Sequence, residues 1–189
     1  MMRELLNFVI TALFIPTALA AQSAVPAQQQ SPRPLSQAGI ERINREVRHE
    51  LLLLPYYGVF DNLSYRVADD GSVTLLGQVT RPTLKSDAEN VVKRIEGVEH
   101  VNNQIQVLPV SPMDDQIRMA TYRAIYGNSS LALYSVRAVP PIHIIVSGGH
   151  VTLEGAVATQ MDKQIAGTQA KSVPNVFSVT NNLQVDEGK

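Results

Sequence analysis

The stretch "GSVTLLGQV" (71–79) returns as "GHVTLEGAV" (149–157), with both glycines, the threonine and the apolar positions in register. The offset is 78 residues, the difference between 71 and 149, and it also aligns "RIEGVEHVNNQIQV" (94–107) with "SVPNVFSVTNNLQV" (172–185). Val73/Val151, Leu75/Leu153, Lys85/Lys163 and Asn103/Asn181 are among the identical pairs. A constant offset across a hairpin, a helix and a strand predicts two copies of one module. Upstream, Ile43 matches Ile117, so the loop after the first helix is longer in the second copy.

Each copy reads as helix, strand, strand, helix, strand. Ile40, Ile43, Val47 and Leu51 recur at helical spacing, and Pro55 ends that helix. "LSYRVA" (63–68) and "SVTLLGQV" (72–79) alternate around "DDG"; the second copy repeats the order with "IHIIVS", "GG" and "HVTLEGAV". Leu84, Ala88, Val91, Val92 and Ile95 make the stripe of a second helix.

The repeated polar and small residues take structural roles. Gly71 and Gly149 are expected to turn the hairpins. Gly77 and Gly155 share a face with core residues and are expected to let a helix approach the sheet. Gly97 and Asn175 coincide in the alignment, and these are the residue types suited to a left-handed helix C-cap. Asn103 and Asn181 share the phase of apolar neighbours, so each should be hydrogen-bonded to a helix end or a strand edge.

At this point the pattern is similar to the BON domain, which carries a turn glycine, V-x-L-x-G-x-V, a helix, then G-V-x-x-V-x-N-x-[IL]-x-V. The first copy matches throughout; the second has Asn175 where glycine is usual. The resemblance implies an α+β fold of two tandem αββαβ modules, 40–109 and 113–186. Each would be a small three-stranded mixed sheet with two helices on one face. It also implies an envelope protein without catalysis, associated with phospholipid or envelope components. The alternative is a protein-binding scaffold of an envelope complex.

Other features bound the function. The 189-residue chain has a net charge of −1 and no cysteine, which excludes disulfides and thiolate chemistry and gives no electrostatic footprint for nucleic acid. Residues 1–20 resemble a secretory signal, with Arg3, an apolar run and Ala18-Leu19-Ala20 before the cleavage point, which predicts a periplasmic protein. Residues 21–39, rich in Ala, Gln, Pro and Ser, predict a flexible linker.

No catalytic constellation, metal site or cofactor motif is expected. His143 and His150 flank the second hairpin, but no third ligand is suitably spaced. The lipid candidates are Met161 and Ile165, an apolar i,i+4 row, with Lys163 and Lys171 on the same helix. The competing expectation is that Met161 and Ile165 pack on the other repeat. "LLLLPYYGVF" (51–60) holds more apolar residues than one stripe can bury, and predicts either a clasp between the repeats or a patch for another protein.

Overall fold

The computed structural model describes residues 35–137 and 139–186. The expected signal segment and residues 21–34 of the expected linker lie outside them. The first repeat begins before residue 40: Ser36 caps a helix α1 (Gln37–Leu52), its hydroxyl accepting from the Gly39 amide.

The first repeat continues through β1 (Asn62–Val67), β2 (Val73–Val79), α2 (Pro82–Val92), β3 (Val101–Asn103) and β4 (Gln106–Val107). The second runs through α3 (Pro112–Tyr126), a short 3-10 helix (Ala132–Val136), β5 (Ile142–Ser147), β6 (His150–Val157), α4 (Gln160–Lys171), β7 (Ser178–Asn181) and β8 (Gln184–Val185). In each sheet the central strand, β2 or β6, pairs antiparallel with the strand before it and parallel with the last one. The fold is α+β with two mixed sheets.

The last strand of each repeat is broken in two, and the repeated asparagine is the reason. The Asn103 amide nitrogen donates to the Lys85 carbonyl in α2, at 2.9 Å, and its side-chain oxygen accepts from the Ile105 amide. Asn181 does the same with Lys163 and Leu183. The residue staples helix to strand and turns the backbone out of the ladder for one step, as asparagine side chains do when they compete for local amides.

Alternation decides the cores. Ile43, Val47, Leu51, Val73, Leu75, Val79, Leu84, Ala88 and Val92 cluster in the first repeat. Ile117, Ile125, Ile142, Ile144, Val151, Leu153, Val157, Ala166 and Leu183 cluster in the second. Each fully buried aliphatic side chain of this kind contributes about 1.5–3 kcal/mol.

Two glycine roles differ from expectation. Gly77 and Gly155 sit at φ 114° and 110°, and a Cβ there would overlap the carbonyl oxygen of Asn62 or Pro141 on the neighbouring strand. It is the hairpin backbone, and not a helix, that approaches them. The close helix approach is made at Gly167 in α4, where a Cβ would lie 2.8 Å from the Asn181 amide nitrogen. Gly97 and Asn175 do adopt positive φ (85° and 65°), but one turn beyond helices that end at Val92 and Lys171. "VPNV" (173–176) has proline followed by a positive-φ residue, the order of a type II turn, in place of a helix cap.

The hairpin turns also diverge. Gly71 closes the "DDG" loop at φ 82°, where Asp70 accepts from the Ser72 amide. In the second repeat Gly148 and Gly149 (φ 58° and 77°) form a two-residue turn of the I′ kind, which has no carboxylate of its own. Asp114 of α3 supplies one: buried, it accepts from both glycine amides at 2.9 and 2.8 Å.

Candidate membrane-contact surface

The loop that is longer in the second repeat carries an exposed apolar pair. Leu131 is fully buried and anchors the 3-10 helix. The Tyr134 hydroxyl accepts from the Ala158 amide and donates to Asp162, both at 2.8 Å, which ties this helix to the start of α4. There the Thr159 hydroxyl caps α4 by accepting from the Asp162 amide, and it donates in turn to the Asp162 carboxylate. With Leu131 and Tyr134 held inward, Leu133 and Val136 point outward, 81% and 79% exposed. Met161, on the first turn of α4 beside Asp162, is 64% exposed. Arg137 and Lys163 adjoin them in sequence, and Asp162, the acid among them, is engaged by Tyr134 and Thr159.

On α4, Met161 and Ile165 line one shallow depression with Asn128 and Ser130. Met161 stays outside and does not pack on the other repeat. Ile165 is half-buried against the core of its own repeat. Lys171 lies in the last turn, about 15 Å along the helix axis from Met161 at 1.5 Å per residue. So Met161 and Lys163 lie near the 3-10 helix, Ile165 follows one turn on beside Met161, and Lys171 lies at the far end of the helix. Leu133, Val136 and Arg137 were missed by sequence reasoning. The available signal was the change of offset between repeats, which marked this loop as longer in the second copy.

Part of the 51–60 segment forms the expected clasp between the repeats. Tyr57 stacks on His143 of the second repeat, with centroids 5.6 Å apart, and Phe60 meets Tyr122 edge-on at 6.2 Å. The Ile144 amide on the edge of β5 donates to the Val59 carbonyl at 2.7 Å. Residues 57–60 therefore clasp the repeats together. Leu52, Leu53 and Tyr56 stay exposed, and Tyr56 takes a positive φ of 67° under the guanidinium of Arg81.

Neither histidine of the hairpin is placed for metal. His143 pairs across the ladder with Glu154, whereas His150 pairs with Ser147 and bonds Ser178. Among the described residues no group of three or more potential ligands gathers. A cleft of about 680 Å³ between α1 and α2 is lined by Arg45 and Arg94 together with Glu46, Glu50 and Glu96, so it carries charges of both signs.

His143 has a consequence for pH. Burial pushes its imidazole below the ordinary 6.5, and backbone groups of Asp61 and Gly58, with the Asp61 and Glu154 carboxylates, offset part of that. Tyr57, which faces it, is itself pushed up to about 12 by burial and stays neutral. A base with a depressed folded pKa stabilises in its neutral form. That contribution is complete above about 6.5 and is lost as pH falls through the depressed value. Urea midpoints should therefore fall between pH 7.5 and 5. His143→Phe, which keeps the stack on Tyr57, should flatten that dependence; an identical slope would remove His143 as its source.

Two αββαβ repeats joined by an aromatic clasp, with an apolar edge on the second, define a tandem α+β protein. The chain belongs to the BON-domain family, whose model matches residues 41–109 and 128–187. BON domains are generally non-catalytic and are associated with the cell envelope. The second match begins after α3, the helix in which Asp114, Arg118 and Thr121 are buried polar residues.

No curated protein matches the chain closely. Among solved structures it is similar to CdsD, a structural protein of the type III secretion system of Chlamydia trachomatis. The identity is 12%, the TM-score 0.30, and the match covers 77% of this chain and 94% of that one. The C-terminal domain of CdsD matches at 11% identity and a TM-score of 0.27, over 75% and 96% of the two chains.

Proposed function

We propose that this protein is an exported, non-enzymatic envelope protein of the periplasm that docks on anionic phospholipid surfaces through the 3-10 helix and the first turn of α4. The observation that carries this is the exposure of Leu133 and Val136 on a turn whose inward residues are fixed by burial and hydrogen bonds. Apolar side chains held outward by a rigid turn, beside Arg137 and Lys163, suit shallow insertion below anionic headgroups. The signal-like segment 1–20 supports export, and no helix among the described residues is long and apolar enough to cross a membrane.

The protein should float with vesicles containing anionic phospholipid at low salt, and less at high salt. Leu133→Asp with Val136→Asp should reduce flotation at least tenfold, since each removes apolar contact worth about 1.5 kcal/mol or more. Lys163→Glu should weaken it and Lys171→Glu should not. Unchanged flotation of the double variant sinks the proposal.

A second function, capture of another envelope protein, is favoured by Leu52, Leu53 and Tyr56. A bulky residue at positive φ stores strain, which gathers at binding surfaces. Absence of flotation with every vesicle composition would move the choice there.

A further inference from the structure

We propose that the cleft between the two repeats binds one single-chain anionic amphiphile, with its hydrocarbon chain against Phe60, Met119 and Tyr122 and its anionic head on Arg137. The choice of ligand class rests on the lipid function proposed above. The cleft has a volume of about 360 Å³, within the range of small-molecule sites, and Val59, Phe60, Met119, Tyr122 and Pro140 give it mainly apolar walls. Ser135 and Arg137 supply the polar lining, both from the 3-10 helix and its end. Arg137 enters no salt bridge among the described residues, so its charge is available to an anion.

Both repeats are needed to form this site. Gly58, Val59 and Phe60 come from the first, and the remaining lining comes from the second. The clasp fixes the first wall: Val59 accepts from Ile144 and the Gly58 amide donates to Asp61. The aromatic run Phe60–Tyr122–Tyr126 fixes the second, with centroids 6.2 and 4.9 Å apart. All the lining residues but Met119 and Tyr122 thus belong to loops in which the repeats differ, where a function not shared by the two modules would be placed. The 3-10 helix that contributes Ser135 also presents Leu133 and Val136, so the cleft adjoins the edge assigned to the membrane surface.

The test uses the full chain without vesicles and dodecanoate kept below its micelle-forming concentration, followed by titration calorimetry. One-to-one saturable binding is expected, at least tenfold tighter than binding of dodecyltrimethylammonium, which has the same chain and the opposite charge. Arg137→Glu should weaken dodecanoate at least tenfold, and Met119→Trp, which fills the cleft from an exposed position of α3, should abolish binding. Thermal unfolding of both variants checks that the fold is retained. If the parent protein floats with vesicles but takes up no dodecanoate, the cleft proposal is overturned and the surface proposal stands. Dodecanoate binding without flotation sinks the surface proposal alone. Folded variants that bind dodecanoate like the parent, or equal affinity for the cationic chain, also overturn the cleft assignment.

Discussion

Gly155→Val is expected to destabilise the second repeat by about 3 kcal/mol or more, enough to unfold much of it at ambient temperature. At φ 110° a β-branched residue is strained whatever space surrounds it. Here there is no space either, since the new Cβ would overlap the Pro141 carbonyl oxygen and lie 3.4 Å from Cδ2 of His143. The strand cannot retreat cheaply, because Pro141 also accepts a hydrogen bond from the Ala156 amide at 3.2 Å. Gly77 repeats the arrangement at φ 114° against Asn62, so Gly77→Val should damage the first repeat similarly. Urea unfolding measures both. Gly155→Ala already introduces the Cβ that overlaps the Pro141 carbonyl, so a Gly155→Ala midpoint equal to the parent's would refute the assignment.

Asp61→Ala should cost about 2–4 kcal/mol and also loosen the two repeats from each other. The carboxylate is buried and accepts from the Gly58 amide at 3.2 Å, the Thr80 amide at 2.7 Å and the Thr80 hydroxyl at 2.9 Å. Truncation leaves those donors without a partner in a site with little access for water. It also releases the 58–61 turn, and with it the Val59–Ile144 hydrogen bond and the Tyr57–His143 stack. Two separate unfolding transitions, with faster proteolysis at 57–61, are the expected result. A single cooperative transition at the parent's midpoint would mean that Asp61 does not organise the clasp. Asp61→Asn, which keeps one acceptor oxygen, should fall between.

The repeat, the hairpin order and the core residues were legible because alternation and helical spacing are local. Val73, Leu75, Val79, Leu84, Ala88 and Val92 carry their burial in their spacing, and all are in the core. Asn103 and Asn181 were legible as hydrogen-bonded polar residues because an unpaired amide among apolar neighbours would be costly. Gly77 was recognised as special but for the wrong contact. A missing side chain signals close approach without saying whether helix or strand approaches, and only the packing of the hairpin resolved that. How much of the α4 row stays exposed was not legible for a similar reason. Helical spacing puts Met161 and Ile165 on one side, but the packing of α3 and the 3-10 helix against α4 determines how much of that side remains open.

The sequence by itself determined that there are two copies, which residues build each core and where the copies differ. These are properties of spacing, and spacing is written along the chain. Only the tertiary structure decided what the differing segments do. The clasp at 57–60, the outward pair Leu133 and Val136, and the cleft that ends on Arg137 each depend on residues distant in sequence meeting through packing. A loop without periodicity carries no local record of its neighbours, so its role appears only once the cores on either side have placed it.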